Sequence, residues 1–193
     1  MMKARDNPFN TDRVLRVRYR FDDLSWLELL SRLERLNYRA AIVGPHGSGK
    51  TTLLEDLEPL LAGRGFRLRR LRLDRGHPAF NSAARRELCE GLGALDLILF
   101  DGAEQLGWWT WRRFVAKTRR AGGLIITQHR PGRLPTLVEC RTSALLLAGI
   151  VEELLPGAPE LLRRQLPDLY RRHRGNLRDA LREMYDRYAE AEP

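Results

Sequence analysis

The sequence predicts an α/β domain, in which a parallel β-sheet is covered by helices, followed by a small all-helical lid at the C-terminus. Short, continuously apolar runs, typical of strands buried on both faces, alternate with helical patterns along residues 1–142. From residue 143 to 193 only helical patterns occur, and prolines at 156, 159 and 167 interrupt them. The length of 193 residues allows one domain with a substantial core and a small appendage.

The chain is basic, but its charge is spread along the sequence. The formal net charge is +9, and the basic residues are mostly arginines in scattered pairs. No block of roughly five or more like charges occurs. A basic protein is compatible with a nucleic-acid partner, yet the lack of a localised basic run favours arginines on solvated faces. Nucleic acid therefore stays open as a partner without being indicated.

The sequence predicts a cytoplasmic protein that does not enter the membrane. No apolar run approaches the roughly 18 residues of a membrane-spanning helix. The N-terminus MMKARDNPFNTDR lacks the apolar segment of a secretory signal. Cys89 and Cys140 lie in apolar contexts without the spacing of metal ligands, so we expect both to be reduced core residues.

An extended segment, a helix and a central strand are predicted first. Residues 14–21 mix branched and aromatic residues with arginines, which is typical of a strand or an extended segment. Residues 24–36, after two aspartates, predict an amphipathic helix whose apolar stripe is Leu24, Leu27, Leu30 and Leu33. Residues 39–44 are apolar on both faces, which favours a central parallel strand.

A glycine-rich loop leads into a second helix and an edge strand. The leucine stripe from Leu53 to Leu61 predicts a helix that Pro59 bends and a glycine ends. Residues 66–73 alternate, but half of them are arginine, so we place this strand near the edge of the sheet. Residues 82–92 predict a short helix.

Two fully apolar strands follow. Residues 96–101 and 123–128 predict buried strands, with a helix over 103–118 between them, in which Trp108 and Trp111 share a face expected in the core. Residues 136–140 predict a last strand, although 144–151 competes for that role.

Residues 44–51 read GPHGSGKT, which fits the pattern G-x-x-x-x-G-K-[ST] between a strand and a helix. Successive backbone N–H groups of such a loop surround a polyphosphate, and the helix N-terminus adds positive potential. Its glycines leave room for close approach and for unusual backbone angles. We therefore predict that ATP or another nucleoside triphosphate is bound by Gly44, Pro45, His46, Gly47, Ser48, Gly49, Lys50, Thr51 and Thr52.

Three side chains supply the charge chemistry of this predicted site. Lys50 brings a point charge to the β- and γ-phosphates, while the Thr51 hydroxyl is offered to Mg²⁺. Asp101 ends a buried strand and is expected to hold the water shell of the metal. These features resemble a P-loop NTPase, and the resemblance covers roughly residues 39–140.

The chain departs from the pattern of AAA-like ATPases beside this aspartate. In those proteins the following residue is usually a glutamate that aligns the attacking water, whereas this chain has Gly102. Glu104 is the nearest carboxylate, at the predicted start of the next helix. Two interpretations stay open: Glu104 aligns the water, or it is a stabilising charge at a helix N-terminus. A slow ATPase or a nucleotide switch is the expectation.

The next buried strand ends in polar residues. In open α/β sheets the ligand lies at the carboxyl ends of the strands. Thr127, with Gln128 as second choice, resembles the sensor position of AAA-like and STAND-type ATPases, which contacts the γ-phosphate. His129 has no partner in the sequence that indicates chemistry, so we interpret it as structural.

The C-terminal helix carries a second resemblance. Its apolar stripe runs from Leu177 to Tyr188, with Asn176 as the expected N-cap. Gly175, Asn176 and Arg178 form a Gly-Asn-x-Arg that recurs in the lid of AAA-like ATPases, whose arginine points back at the nucleotide. A plain capped helix is the alternative.

Three functions are compatible with these features. The first is an AAA-like or STAND-like Mg²⁺-dependent ATPase acting on a macromolecular partner, which the resemblance implies is a protein. The second is a small-molecule kinase, for which Asp74 would be the base that takes the proton of an acceptor hydroxyl. The third is a nucleotide-binding module without turnover. The chain lacks a guanine-selecting Asn-Lys-x-Asp, which favours ATP.

Overall fold

In a computed structural model of the chain, the described residues are 4–73, 86 and 88–190. The helix predicted at 82–92 is described only in part: Arg86, Leu88 and Cys89 are helical, and residues 90–92 are not. Asp74 lies outside the described residues. None of the helices in the described ranges combines the length and the apolar character that a bilayer crossing requires.

Five parallel strands form one sheet in the order β2-β3-β4-β1-β5, which confirms the predicted fold class. Their bounds are β1 Arg39–Val43, β2 Arg67–Arg72, β3 Asp96–Asp101, β4 Gly123–Gln128 and β5 Thr136–Glu139. The arginine-rich β2 is an edge strand, as predicted, since an edge lets the long cations reach water. The internal strands β3 and β4 are almost wholly buried.

Seven α-helices lie wholly within the described part of the chain. They are α1 Thr11–Val14, α2 Trp26–Arg35, α3 Lys50–Ala62, α4 Trp108–Lys117, α5 Ala144–Leu154, α6 Glu160–Arg172 and α7 Leu177–Glu190. Single 3₁₀ turns lie at Ala4–Asp6, Ala103–Gln105 and Thr118–Arg120. The residues from 144 onward are therefore helical, and the strand proposed as an alternative at 144–151 is instead part of α5.

Two predictions about the N-terminal region are corrected. No strand forms at 14–21, where the end of α1 is followed by a turn and then by irregular backbone. Helix α2 forms as predicted, with a capping box between Ser25 and Glu28, but its buried face differs. Leu29, Leu30 and Leu33 are buried, whereas Leu27 is 74% exposed, so the buried face includes Leu29 in place of Leu27.

The predicted helix at 103–118 is in fact two elements. Ala103–Gln105 form a 3₁₀ turn, and α4 begins only at Trp108, with Gly107 as its N-cap. Trp111 is buried and packs near Phe114, but Trp108 is 56% exposed, so its expected core position was wrong. The extended backbone of Leu106 separates the turn from the helix.

The chain clusters into two compact units. The sheet unit comprises Arg20–Gly44 and Lys50–Cys140, and one face of its sheet packs on Trp111 and Phe114 of α4. The second unit comprises the residues up to Tyr19, the loop Pro45–Gly49 and the residues from Arg141 onward. In this unit Asn7 Nδ2 donates to the carbonyl of Tyr185 at 2.9 Å, and the Phe9 ring meets Tyr188 edge to face.

Candidate functional site

The glycine-rich loop connects β1, which ends at Val43, to α3, which begins at Lys50. Gly47 and Gly49 have φ of +69° and +82°, backbone angles that favour glycine. Ser48 is buried and its hydroxyl donates to the carbonyl of Pro45 at 2.9 Å. The loop is thus built as the motif predicts, with glycine at two positions that other residues would strain.

The loop also packs closely within its own unit. A Cβ at Gly47 would lie 1.8 Å from Asn176 Oδ1 and 3.2 Å from the backbone nitrogen of Arg178. Tyr19 lies against Gly49, where a Cβ would come 3.2 Å from the ring. Pro45 and His46 are exposed. Gly47 is therefore required both by its backbone angle and by the neighbouring start of α7.

Lys50 is the first residue of α3, and it is only 8% exposed. Its Nζ donates to the carbonyl of Gly44 at 2.8 Å and lies 3.3 Å from Nδ1 of His129. The ammonium therefore rests on the first carbonyl of the loop. Thr52, two residues on, lies partly buried in the first turn of α3.

Thr51, Asp101 and Thr127 meet at the carboxyl edge of the sheet. The Thr51 hydroxyl donates to Asp101 Oδ2 at 2.9 Å, and the Thr127 hydroxyl donates to Asp101 Oδ1 at 2.6 Å. They meet because β4 lies between β1 and β3, and parallel strands end at the same edge. The Arg72 guanidinium lies 3.8 Å from the same carboxylate.

Gly102 explains why this chain has no glutamate after Asp101. Its φ is +87°, and a Cβ there would lie 2.0 Å from the carbonyl oxygen of Leu73. Its N–H donates to the Thr127 hydroxyl at 2.9 Å. A side chain would meet backbone that is itself held by the bond from Leu73 N to Asp101 O, so the position admits glycine alone.

Glu104 lies in the 3₁₀ turn and not at the start of α4, which corrects its expected position. Its Oε1 lies 2.8 Å from Nε2 of His129, and its Oε2 is buried with no hydrogen-bond partner in the described part of the chain. Since α4 begins four residues later, Glu104 does not serve as a charge at that helix N-terminus.

His129 is the residue of this site that the sequence interpretation missed. It lies two residues after Thr127, so alternation along the strand places both on the same side of the sheet. Gln128, the second choice for the sensor position, is on the opposite side; it is 1% exposed, and neither amide atom has a described partner. The spacing of two from Thr127 is the signal that would have identified His129.

The Gly-Asn-x-Arg segment forms the turn into α7. Gly175 has φ of +80°, and its carbonyl accepts from the Thr142 hydroxyl at 2.9 Å. Asn176 caps the helix as predicted, accepting from the backbone N–H of Asp179 at 3.3 Å. Arg178 is exposed at the second position of α7.

The comparisons with known proteins bear on the fold. No protein-family model matches the chain, and no curated protein matches it. Among solved structures, a RuvB variant from Thermotoga maritima superimposes with a TM-score of 0.53 at 17% sequence identity. The match covers 82% of this chain and 58% of the RuvB chain, so this chain spans less than two thirds of that protein. At this identity the likeness concerns the fold alone: like the RuvB chain it superimposes on, this chain is built on a parallel β-sheet flanked by helices.

Proposed function

We propose that this chain binds ATP with Mg²⁺ at the carboxyl edge of the sheet and works as a slow ATPase or nucleotide switch on a macromolecular partner. One observation carries the proposal. Directly after a loop with two left-handed glycines, Lys50 lies on Gly44, and the Thr51 hydroxyl is bonded to the carboxylate of Asp101. A cation, a hydroxyl and a carboxylate are the groups that a magnesium–triphosphate needs.

The residues at this edge fit a magnesium ion. Mg²⁺ prefers oxygen ligands and keeps several waters, so one or two protein oxygens beside the phosphates suffice. Thr51 Oγ1 and Asp101 Oδ2 are 2.9 Å apart and supply a hydroxyl and a carboxylate. These two residues would hold the ion, and the bound ion would neutralise charge on the phosphate oxygens.

Lys50 and the loop amides would hold the triphosphate. The ammonium now donates to a neutral carbonyl, which phosphate oxygens would replace with stronger, charge-assisted bonds. The backbone N–H groups of residues 46–49 and of the first turn of α3 add partial positive charge. Arg178 belongs to the same compact unit as this loop, and we assign it to the γ-phosphate.

Glu104 is our candidate for the residue that aligns the attacking water. One oxygen is held by His129, and the buried Oε2 is left to accept a bond from water. Thr127, bonded to Asp101 and to the Gly102 amide, would sense the γ-phosphate through the carboxylate that it shares with Thr51.

A nucleotide-binding module without turnover is the second candidate. It is favoured by Gly102, because the usual catalytic carboxylate cannot be placed there. The kinase hypothesis depends on Asp74, which lies outside the described residues, and no observation favours it.

Titration of a fluorescent ATP analogue tests binding. We expect Mg²⁺-dependent affinity in the parent chain and a loss of about tenfold or more in Lys50→Ala, since tenfold corresponds to about 1.4 kcal/mol. Lys117→Ala is the matched control: this lysine is the last residue of α4, and its replacement should leave the affinity for ATP unchanged. The proposal fails if the parent chain shows no Mg²⁺-dependent affinity, or if Lys50→Ala binds as tightly.

Turnover separates the two candidates. If Glu104 aligns water, Glu104→Gln lowers the rate of phosphate release while ATP affinity stays within about threefold, because the amide keeps the shape but loses the base. Phosphate release that is absent from the parent chain, together with good ATP affinity, would select the binding module.

A further inference from the structure

Three side chains form a continuous line from the loop to the proposed catalytic carboxylate. Lys50 Nζ lies 3.3 Å from His129 Nδ1, and His129 Nε2 lies 2.8 Å from Glu104 Oε1. His129 Nδ1 is also 3.2 Å from the carbonyl oxygen of Gly44, on which the ammonium rests. Each end of one imidazole ring therefore contacts a different part of the site.

A hydrogen bond from Lys50 to the ring would fix which ring nitrogen carries the proton. An ammonium can only donate, so a bond from Nζ to Nδ1 requires Nδ1 to accept, and in that tautomer the ring proton lies on Nε2. That Nε2–H donates to Glu104 and orients the carboxylate. The second carboxylate oxygen is thereby turned into a buried position in which no described group bonds to it.

We propose that His129 is a positioning residue that couples the place of the Lys50 ammonium to the orientation of the Glu104 carboxylate, an inference that rests on the proposed function. When Lys50 moves to phosphate, the contact between Nζ and Nδ1 is lost, while Nδ1 still faces the carbonyl oxygen of Gly44. An accepting Nδ1 and a carbonyl oxygen at about the distance of a hydrogen bond repel each other. The ring therefore turns away from that oxygen.

Turning of the ring acts on Glu104, because the same ring holds it. A turned ring releases Oε1 of the carboxylate. The presence of phosphate at the loop is thus transmitted to the carboxylate before the water is attacked. This arrangement supplies, through Glu104 and His129, the control that a glutamate at position 102 cannot supply.

Imidazole nitrogen spectra by NMR test the first link without nucleotide. The chain has four histidines, so His129→Gln identifies the His129 signals. We expect Lys50→Met to shift both ring nitrogens of His129. His173 is the matched control, since its Nε2 lies 2.6 Å from Glu183 in the C-terminal helices, and its signals should not move. Unchanged His129 signals in Lys50→Met overturn the inference.

A nucleotide titration and rate measurements test the second link. A non-hydrolysable ATP analogue with Mg²⁺ should shift the His129 signals of the parent chain. His129→Ala should lower turnover by roughly 10²-fold, as expected when a catalytic group is misplaced by about 1 Å, with ATP affinity within about threefold. His129→Gln, which keeps a donor toward Glu104, should recover part of the rate.

The outcomes distinguish this inference from the proposed function. If the parent chain binds no nucleotide, the proposed function fails, and the Lys50→Met spectra still decide whether His129 responds to the ammonium. If the chain binds nucleotide and the His129 signals stay fixed, the coupling is wrong while the binding stands. Equal losses of affinity and turnover in His129→Ala, with no rescue by His129→Gln, would also overturn it. If the chain binds ATP but does not hydrolyse it, the His129 spectra alone decide whether the coupling is right.

Discussion

Replacing Gly102 tests the claim that backbone geometry, not lost function, keeps a glutamate from this position. The residue has φ of +87°, and a Cβ there would lie 2.0 Å from the carbonyl oxygen of Leu73. The left-handed backbone costs a residue other than glycine about 1–2 kcal/mol. Relieving the overlap with backbone adds about 1–3 kcal/mol, so Gly102→Ala should lose roughly 2–5 kcal/mol of stability.

The assay is urea unfolding followed by tryptophan fluorescence, for which the buried Trp111 is a suitable probe. The loss is large against the roughly 5–15 kcal/mol by which domains are stable. Gly102→Glu should lose at least as much as Gly102→Ala and should gain no ATPase activity. Gly107→Ala is the matched control: its φ is −61° and nothing lies within 4 Å of its added methyl, so it should change stability by about 1 kcal/mol or less.

The reasoning is refuted if Gly102→Glu unfolds at the same urea concentration as the parent chain. It is also refuted if that variant hydrolyses ATP faster, because the site would then accept the usual carboxylate. Equal destabilisation by Gly102→Ala and Gly107→Ala would show that the contact with Leu73 carries no energy.

Three further predictions concern Gly47 in the loop, Asp96 at the start of β3 and Thr127 in β4. Gly47→Ala should weaken Mg²⁺–ATP binding roughly tenfold, because the position has a positive φ and an added Cβ would overlap Asn176. Asn176→Gly in the same chain should restore part of the affinity, whereas an affinity equal to that of the parent chain in Gly47→Ala would contradict the prediction. The bond from the Gly93 N–H, and after it Arg69, lowers the pKa of the buried Asp96 carboxyl, so the stabilisation by this carboxylate is present above about pH 4 and is lost as the pH falls through the lowered pKa. Asp96→Asn should therefore cost about 1.5–3 kcal/mol of unfolding free energy in urea at pH 7 and less at pH 3. A cost that does not change with pH would refute this prediction. Thr127→Val leaves the Gly102 N–H without its acceptor and should cost about 1–3 kcal/mol, whereas Thr127→Ser should keep most of that stability; equal losses in the two variants would refute the bond.

Much of the fold was predictable because strands and helices leave local patterns. Continuous apolar runs predicted β1, β3 and β4, and the arginines of β2 predicted an edge. The cap of α7 at Asn176 was also local, since a short polar side chain bonds an amide three residues on. Periodicity failed where neighbours in space decide: the buried face of α2 is shifted from the predicted stripe, and residues 14–21 form no strand.

The candidate site was predictable only in part for the same reason. The loop of residues 44–51 and Asp101 were identified from local motifs, and the structure places Thr51 and Asp101 in direct contact. Glu104 was placed at a helix start because a helical pattern does not show that Leu106 interrupts it with extended backbone. His129 was interpreted as structural because its partners are 79 and 25 positions away in the chain.

The sequence by itself determined the loop, since glycine at 47 and 49 is what left-handed backbone requires, and it determined which segments are buried strands. The tertiary structure alone decided the strand order, which inserts β4 between β1 and β3. That order brings Thr127 to Asp101 and His129 between Lys50 and Glu104. The physical reason is that a residue pattern reports which face is buried but not which strand becomes its neighbour, a choice made by packing across the whole sheet.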